Sequence, residues 1–171
     1  MIVLLAGLPG TGKSTLAQAA SSRLHAIVLS KDEIRHTLFS PAAIEYSTEQ
    51  DDFVMEIMLQ TAGWTLRKDP GRIVFLDGRT FSRRYQIDRV LESAHELSQP
   101  WRILECVCPE EVARARIAAQ AESNAHPARN RTFDLYLECK ASFEPILLPK
   151  IVIDTSNALE ECVNQAVQAL T

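Results

Sequence analysis

A chain of 171 residues, 46% of them hydrophobic, is long enough to bury roughly two-thirds of its unfolded surface in one domain, which excludes fibrous, collagen-like and disordered classes. With 18 basic against 22 acidic side chains the formal net charge is −4, so no global positive field draws in nucleic acid, and a polyanionic partner needs a local basic patch. The cysteines Cys106, Cys108, Cys139 and Cys162 are scattered through apolar segments, which suits reduced, buried thiols better than a disulfide framework or a zinc site.

In chain order, the apolar opening 1–6 is too short for a signal peptide or a membrane span, so a cytoplasmic location and no membrane partner are expected. Short runs rich in aliphatic and β-branched residues at 2–6, 26–29, 73–76, 101–107 and 151–153 predict five buried strands. Segments of helical periodicity separate them, the pattern of βαβ units and a parallel sheet. After the first strand, Leu16, Ala17, Ala20 and Leu24 form an inward helical stripe. After the second, Ser30 or Asp32 is placed to cap a helix starting near Glu33. A long helix is predicted from Ser47, where Ser47-x-x-Gln50 has capping-box spacing, to the breaker Asp69-Pro70-Gly71, with Phe53, Val54, Ile57 and Met58 packing inward. Trp64 and Trp101 read as packing residues, and no histidine has a partner at metal spacing. The least helical stretch, 123–130, contains Ala125-His126-Pro127 and reads as a flap. The chain ends on a helix with the stripe Leu159, Cys162, Val163, Ala166, Val167 and Leu170, which Thr155 or Asn157 is expected to cap. No linker, repeat or low-complexity segment divides the sequence, so 1–171 reads as one domain; its oligomeric state stays open.

The chemistry begins at Gly7-Leu8-Pro9-Gly10-Thr11-Gly12-Lys13-Ser14, a full match to G-x-x-x-x-G-K-S/T directly after an apolar strand and before a helical pattern. Glycines let such a loop curl so that its N–H groups meet phosphate oxygens, and the helix that follows adds a partial positive charge. These eight residues and Thr15 are therefore the expected ATP contacts, with Lys13 at the β- and γ-phosphates and the Ser14 hydroxyl on Mg²⁺. The run Ile73-Val74-Phe75-Leu76 ends in Asp77, which either holds the same metal or caps a strand end. No Asn-Lys-x-Asp element for guanine is present. Asp77 is followed by Gly78-Arg79-Thr80 rather than by a water-activating Glu, so a GTP switch and a hydrolytic motor are both disfavoured.

At these residues the sequence resembles the small P-loop kinases, the group of gluconate kinase-like and adenylate kinase-like enzymes and the 5′-kinase domain of polynucleotide kinases. The resemblance implies an α/β P-loop NTPase fold, a three-layer αβα with a five-stranded parallel sheet ordered 2-3-1-4-5 and a short lid at about 114–131. Asp32-x-x-Arg35 is similar to the element that polynucleotide kinases carry after strand two. It implies Asp32 as general base and Arg35 as an acceptor or phosphate contact, against the plainer reading of a helix cap and a solvated arginine. Asp77-Gly78-Arg79 resembles an acceptor-holding Asp-Gly-x-x-Arg region with the arginine arriving early, which makes Arg79 an acceptor contact; Arg83 and Arg84 add charge nearby. The family's lid arginines correspond to Arg114, Arg116, Arg129 and Arg131. Arg114 and Arg116 cannot point the same way on a helix; Arg116 is preferred, with Arg129 or Arg131 replacing an arginine absent at Gln120. The resemblance further implies that Asp154-Thr155-Ser156-Asn157 passes over adenine. The implied function is Mg²⁺-dependent transfer of the γ-phosphoryl group of ATP to a hydroxyl of a small molecule, with Lys13, Asp32, Arg116 and Arg131 as catalytic residues. A polynucleotide 5′-hydroxyl acceptor and a non-catalytic nucleotide switch are the rivals.

Overall fold

The structure is a computed structural model that describes residues 1–123 and 132–171. The five apolar runs form strands β1 (Ile2–Ala6), β2 (Ala26–Ser30), β3 (Ile73–Asp77), β4 (Trp101–Val107) and β5 (Ile151–Asp154). They pair in parallel in the order β2-β3-β1-β4-β5, as expected. Helices α1 (Lys13–Ser21), α2 (Lys31–Leu38), α3 (Thr48–Lys68), α4 (Arg84–Glu96), α5 (Glu110–Ser123), α6 (Phe133–Ala141) and α7 (Leu159–Leu170) connect and flank them.

The two-residue period of a strand splits β1 between two cores. Ile2, Leu4 and Ala6 face a cluster with Val54, Met58 and Leu66 of α3 and Val90 of α4, whereas Val3 and Leu5 face Leu16 and Ala17 of α1 and Val163 and Ala166 of α7. All five β1 residues are fully buried, and burial of each large aliphatic side chain contributes roughly 1.5–3 kcal/mol. A strand covered on both faces has no solvated side to alternate with, which is why β1 and β3 are legible as continuous apolar runs.

Helix α3 buries Val54 and Met58 as expected, but not Phe53 or Ile57. Its buried hydrophobic side chains are Val54, Met55, Met58, Leu59, Ala62 and Leu66, while Ile57 is half-buried and Phe53 is 54% exposed, edge-on to Phe39 at 6.0 Å. Several overlapping apolar stripes are available on this helix. Packing on the sheet selects the one carrying Met55 and Leu59. Trp64, expected to pack, is 61% exposed; Trp101 is half-buried against the α3 and α4 core. Ser47 does cap α3, its hydroxyl accepting from the Gln50 N–H at 3.1 Å, but Gln50 does not complete the box. Its side chain accepts from the Glu45 N–H and donates to the Ala43 carbonyl, tying down the preceding loop. At the other end of the chain, α7 is preceded by Ala158 and has no side-chain cap, so neither Thr155 nor Asn157 has the expected role. All four cysteines are free thiols, Cys106 and Cys162 buried and Cys108 and Cys139 half-buried. No described helix is long and apolar enough to cross a membrane.

Candidate active site

The site grows from the carboxyl ends of β1 and β3. Between β1 and α1 the chain curls through Gly7, whose φ of +132° is open to glycine, and where a Cβ would stand 2.3 Å from the Cys106 carbonyl oxygen. The Gly7 N–H donates to Thr80 just beyond β3, so the two strand ends are tied together. Gly12 turns the loop into α1 from a left-handed conformation, and no side chain caps the helix, which leaves its first-turn amides to a ligand. Lys13 is buried, 5% exposed, with its ammonium donating to the carbonyls of Gly7 at 2.8 Å and Leu8 at 2.7 Å. The cation is thus held in the mouth of the loop by two neutral acceptors that a phosphate oxygen outcompetes. Ser14 is half-buried and Thr15 exposed at the start of α1.

Asp77 ends β3 in register with Ser30 of β2 and is 3% exposed. Its Oδ1 is buried with no hydrogen-bond partner among the described residues, the kind of orphan that folded proteins rarely keep without a use. The donor set of the Asp77 carboxylate and the Ser14 hydroxyl is all oxygen, as a hard cation such as Mg²⁺ requires.

Beyond the loop lies a cavity of about 250 Å³ shared by Lys13, Asp32, Arg35 and Arg79. Helix α2 begins at Lys31 because the Ser30 hydroxyl accepts from the Glu33 N–H, so Ser30 takes the capping role and leaves the Asp32 carboxylate unspent on it. Asp32 is 6% exposed and accepts from Arg35 at 3.3 Å. Arg35 is 1% exposed, lies over the Tyr46 ring at 5.2 Å and also pairs with Asp51 of α3. Burial lowers the Arg35 pKa from its ordinary value, and the Asp32 carboxylate opposes that shift. Lys31 bonds Asp51 at 2.6 Å, and Arg79 bonds Asp52 at 2.6 Å beside the Tyr85 hydroxyl. Arg83 and Arg84 are elsewhere: they are exposed, bind Glu144 and Asp88, and do not line this cavity.

On the opposite side of the loop, Arg116 of α5 donates to the Thr155 hydroxyl at 3.1 Å and to the Thr155 carbonyl at 2.7 Å. The Thr155 hydroxyl in turn donates to the Thr11 carbonyl at 2.9 Å, so the β5–α7 turn is bolted to the phosphate loop. Asp154 closes that turn by accepting from the Ser156 amide and hydroxyl. A second cavity of about 400 Å³, lined by Gly12, Thr15, Arg116, Gln120 and Asn157, opens there. Arg114 points away, over the Phe133 ring at 3.8 Å. Arg129 and Arg131 lie outside the described residues, as does most of the expected flap.

Residues 2–146 match the AAA_33 family, described as an AAA domain. The chain belongs to that family. No curated protein matches it. Among solved structures this AAA domain is similar to a kinase candidate from Chloroflexus aurantiacus, at 22% identity and a TM-score of 0.77 over 99% of this chain and 98% of that one. It is similar to the Mycobacterium tuberculosis APS kinase in complex with AMPPNP and APS, at 17% identity and a TM-score of 0.71 over 99% and 96% of the two chains. A gluconokinase from Sinorhizobium meliloti aligns at 17% identity and a TM-score of 0.66 over 98% and 90%. These likenesses show a kinase-like P-loop fold.

Sequence reasoning missed two residues that line this AAA domain's cavity, Lys31 and Asp51, and Asp52, which pairs with Arg79 from outside it. Lys31 and Arg35 are four apart on one face of α2, a cation pair that needs partners if buried. That was the available signal. Asp51 and Asp52 had only the look of acids in the early turns of a capped helix, where they favour the helix dipole without any site.

Proposed function

We propose that this AAA domain is an ATP-dependent kinase that moves the γ-phosphoryl group onto a hydroxyl of a small-molecule acceptor. The observation that carries this reading is the shared cavity: Lys13 of the phosphate loop and the buried carboxylate of Asp32 line one space of about 250 Å³. A nucleotide phosphate at Lys13 and a hydroxyl at Asp32 would therefore face each other, the arrangement that phosphoryl transfer needs.

In this reading the loop amides and Lys13 hold the β- and γ-phosphates, and Ser14 and Asp77 hold Mg²⁺, which when bound offsets phosphate charge. Among the described residues no cluster of three or more His, Cys, Asp or Glu could cage a metal, which agrees with a cation completed by substrate oxygens rather than by protein alone. Asp32 orients the acceptor hydroxyl and takes its proton as the new O–P bond forms and the bond to the β-phosphate oxygen breaks, leaving ADP. Arg35 fixes the Asp32 carboxylate, and Arg79 contacts the acceptor. Arg116 stands over the nucleotide side, and a lid at about 114–131 with Arg129 and Arg131 closes a single domain against water. Such chemistry suits the cytoplasm, where ATP and Mg²⁺ are plentiful.

A polynucleotide 5′-hydroxyl acceptor is favoured by one observation, the Asp32-x-x-Arg35 spacing with both residues buried in the cavity. It requires activity that falls steeply with salt, through counterion release. The test is incubation of the protein with γ-labelled ATP, Mg²⁺ and a panel of sugars, polyols, nucleosides and 5′-hydroxyl oligonucleotides. Label on one acceptor class supports the kinase; label only as free phosphate across the panel refutes it.

A further inference from the structure

The wall of the cavity beyond the phosphate loop is unbalanced in charge. Among the described residues it carries Lys13, Lys31, Arg35 and Arg79 against the carboxylates of Asp32 and Asp51. A nucleotide phosphate at Lys13 leaves the acceptor half with Lys31, Arg35 and Arg79 facing those two carboxylates. Both are already engaged: Asp51 meets Lys31 and Arg35, and Asp32 meets Arg35. Arg79 is paired differently. Its partner Asp52 does not line the cavity and has a side chain 43% exposed, whereas that of Arg79 is 4% exposed. A partner standing in water compensates a buried charge only weakly, because solvent screens the pair. The cavity therefore presents the Arg79 guanidinium as a cation that no carboxylate of its own described wall answers.

The hydrogen bonds of Arg79 lead to the same ligand chemistry. Its Nη2 donates to Asp52 at 2.6 Å and to the Tyr85 hydroxyl at 3.4 Å, while its buried Nε–H has no acceptor among the described residues. A planar guanidinium takes two oxygens of one carboxylate or phosphate side by side, so an oxyanion supplies both the missing charge and the missing acceptor after a small turn of the side chain. A hydroxyl supplies only the acceptor. Arg35 is less available, because its two Nη groups hold Asp32 and Asp51. Asp32, the carboxylate of the cavity that the transfer reaction uses, is left to receive an O–H group. The volume of about 250 Å³ lies under the roughly 300 Å³ at which sites for drug-sized ligands begin, so the molecule is small. Resting on the kinase reading for the hydroxyl end, we infer that the acceptor is a small hydroxylated anion, a carboxylate or a phosphate monoester, whose charged group is bound by Arg79 while its hydroxyl meets Asp32.

The test is calorimetric titration of the whole protein, with Mg²⁺ and AMPPNP bound, using sets that share one carbon skeleton: an alditol or aldose, its aldonate and its phosphate monoester. At least one anionic member binds, and its neutral counterpart binds about 10–100-fold more weakly, the worth of one charge-assisted hydrogen bond. Which anion wins separates carboxylate from phosphate. Arg79→Gln brings the two members within about threefold of each other while the affinity for Mg·AMPPNP, which also reports that the variant is folded, stays within about twofold. Should Arg79→Gln fail to bind AMPPNP, Arg79→Lys takes its place and keeps the sign of the preference, weakened by about tenfold through loss of the two-oxygen fork. A neutral member that binds as well as its anionic counterpart, failure of every small anion to bind, or a preference that persists unchanged in the folded Arg79 variant overturns the inference. Small anions that bind selectively while γ-labelled ATP gives no product sustain it and sink the transfer reaction instead.

Discussion

Replacing Asp77 by Asn separates what the buried carboxylate does for stability from what it does for nucleotide. Asp77 is 3% exposed and its Oδ1 has no partner among the described residues, so in the ligand-free protein the group carries an unrelieved desolvation cost. An unsatisfied buried polar atom costs about 1–3 kcal/mol. The isosteric amide removes the charge while leaving its own donor to be accommodated, so a net gain of ~1–2 kcal/mol is expected, which at this chain length raises Tm by ~2–8 °C. With Mg·ATP at a hundred times its dissociation constant, the wild type gains ~2.7 kcal/mol of stability; if loss of the carboxylate weakens binding about a hundredfold, the variant gains only ~0.4 kcal/mol. Differential scanning calorimetry with EDTA, and then with Mg·ATP, reads both numbers. A ligand-free Asp77→Asn protein that melts at or below wild type and keeps the full Mg·ATP increment refutes the reasoning, because Asp77 would then be a satisfied structural acid.

Asp32→Asn is expected to lower turnover by about 10²–10⁴ while nucleotide affinity, read by calorimetry, stays within about twofold, since on the proposed reading the lost group acts as a base, and its ion-pair partner is Arg35 of α2. Full turnover in Asp32→Asn would refute its role as base. Arg116→Ala severs the donation to Thr155 at 3.1 and 2.7 Å and removes a cation from the nucleotide side; a fall in kcat of more than about tenfold is expected. If Arg116→Ala, Arg129→Ala and Arg131→Ala each lose less than that, the lid proposal fails. The Cys106 thiol is fully buried, and desolvation pushes its pKa up to about 12 from an ordinary 9.0, against the pull of Lys13. The native state therefore holds this proton where the unfolded chain releases it. Its contribution is intact below about pH 9 and falls by up to ~1.4 kcal/mol per unit as pH climbs toward 12. Denaturant titrations across that range check the slope, and iodoacetamide near pH 9 should label the half-buried Cys108 and Cys139 before Cys106.

Much of the fold is written locally. Strands β1 and β3 are buried on both faces, so their residues must be apolar without interruption, and any short window of sequence reveals them. The phosphate loop is legible for the same reason: the constraint falls on consecutive residues, glycines that curl and a lysine and serine at fixed offsets. Asp32 and Arg35 could be named because they are three apart on one helix, one turn of backbone geometry.

The sequence alone determined which residues could meet phosphate, because backbone conformation over a handful of neighbours decides that. Only the tertiary structure decided which side chains meet in the cavity beyond the loop and how the loop is braced. Asp51 reaches Lys31 across 20 positions of chain, and Thr155 reaches Thr11 across 144. Contacts of that kind depend on which stripe of α3 turns to the sheet and on which strands lie side by side. When packing buried Met55 and Leu59 in place of Phe53, it also fixed where the neighbouring Asp51 and Asp52 carboxylates lie, and no local pattern carries the phase of a helix against a partner it has not yet met.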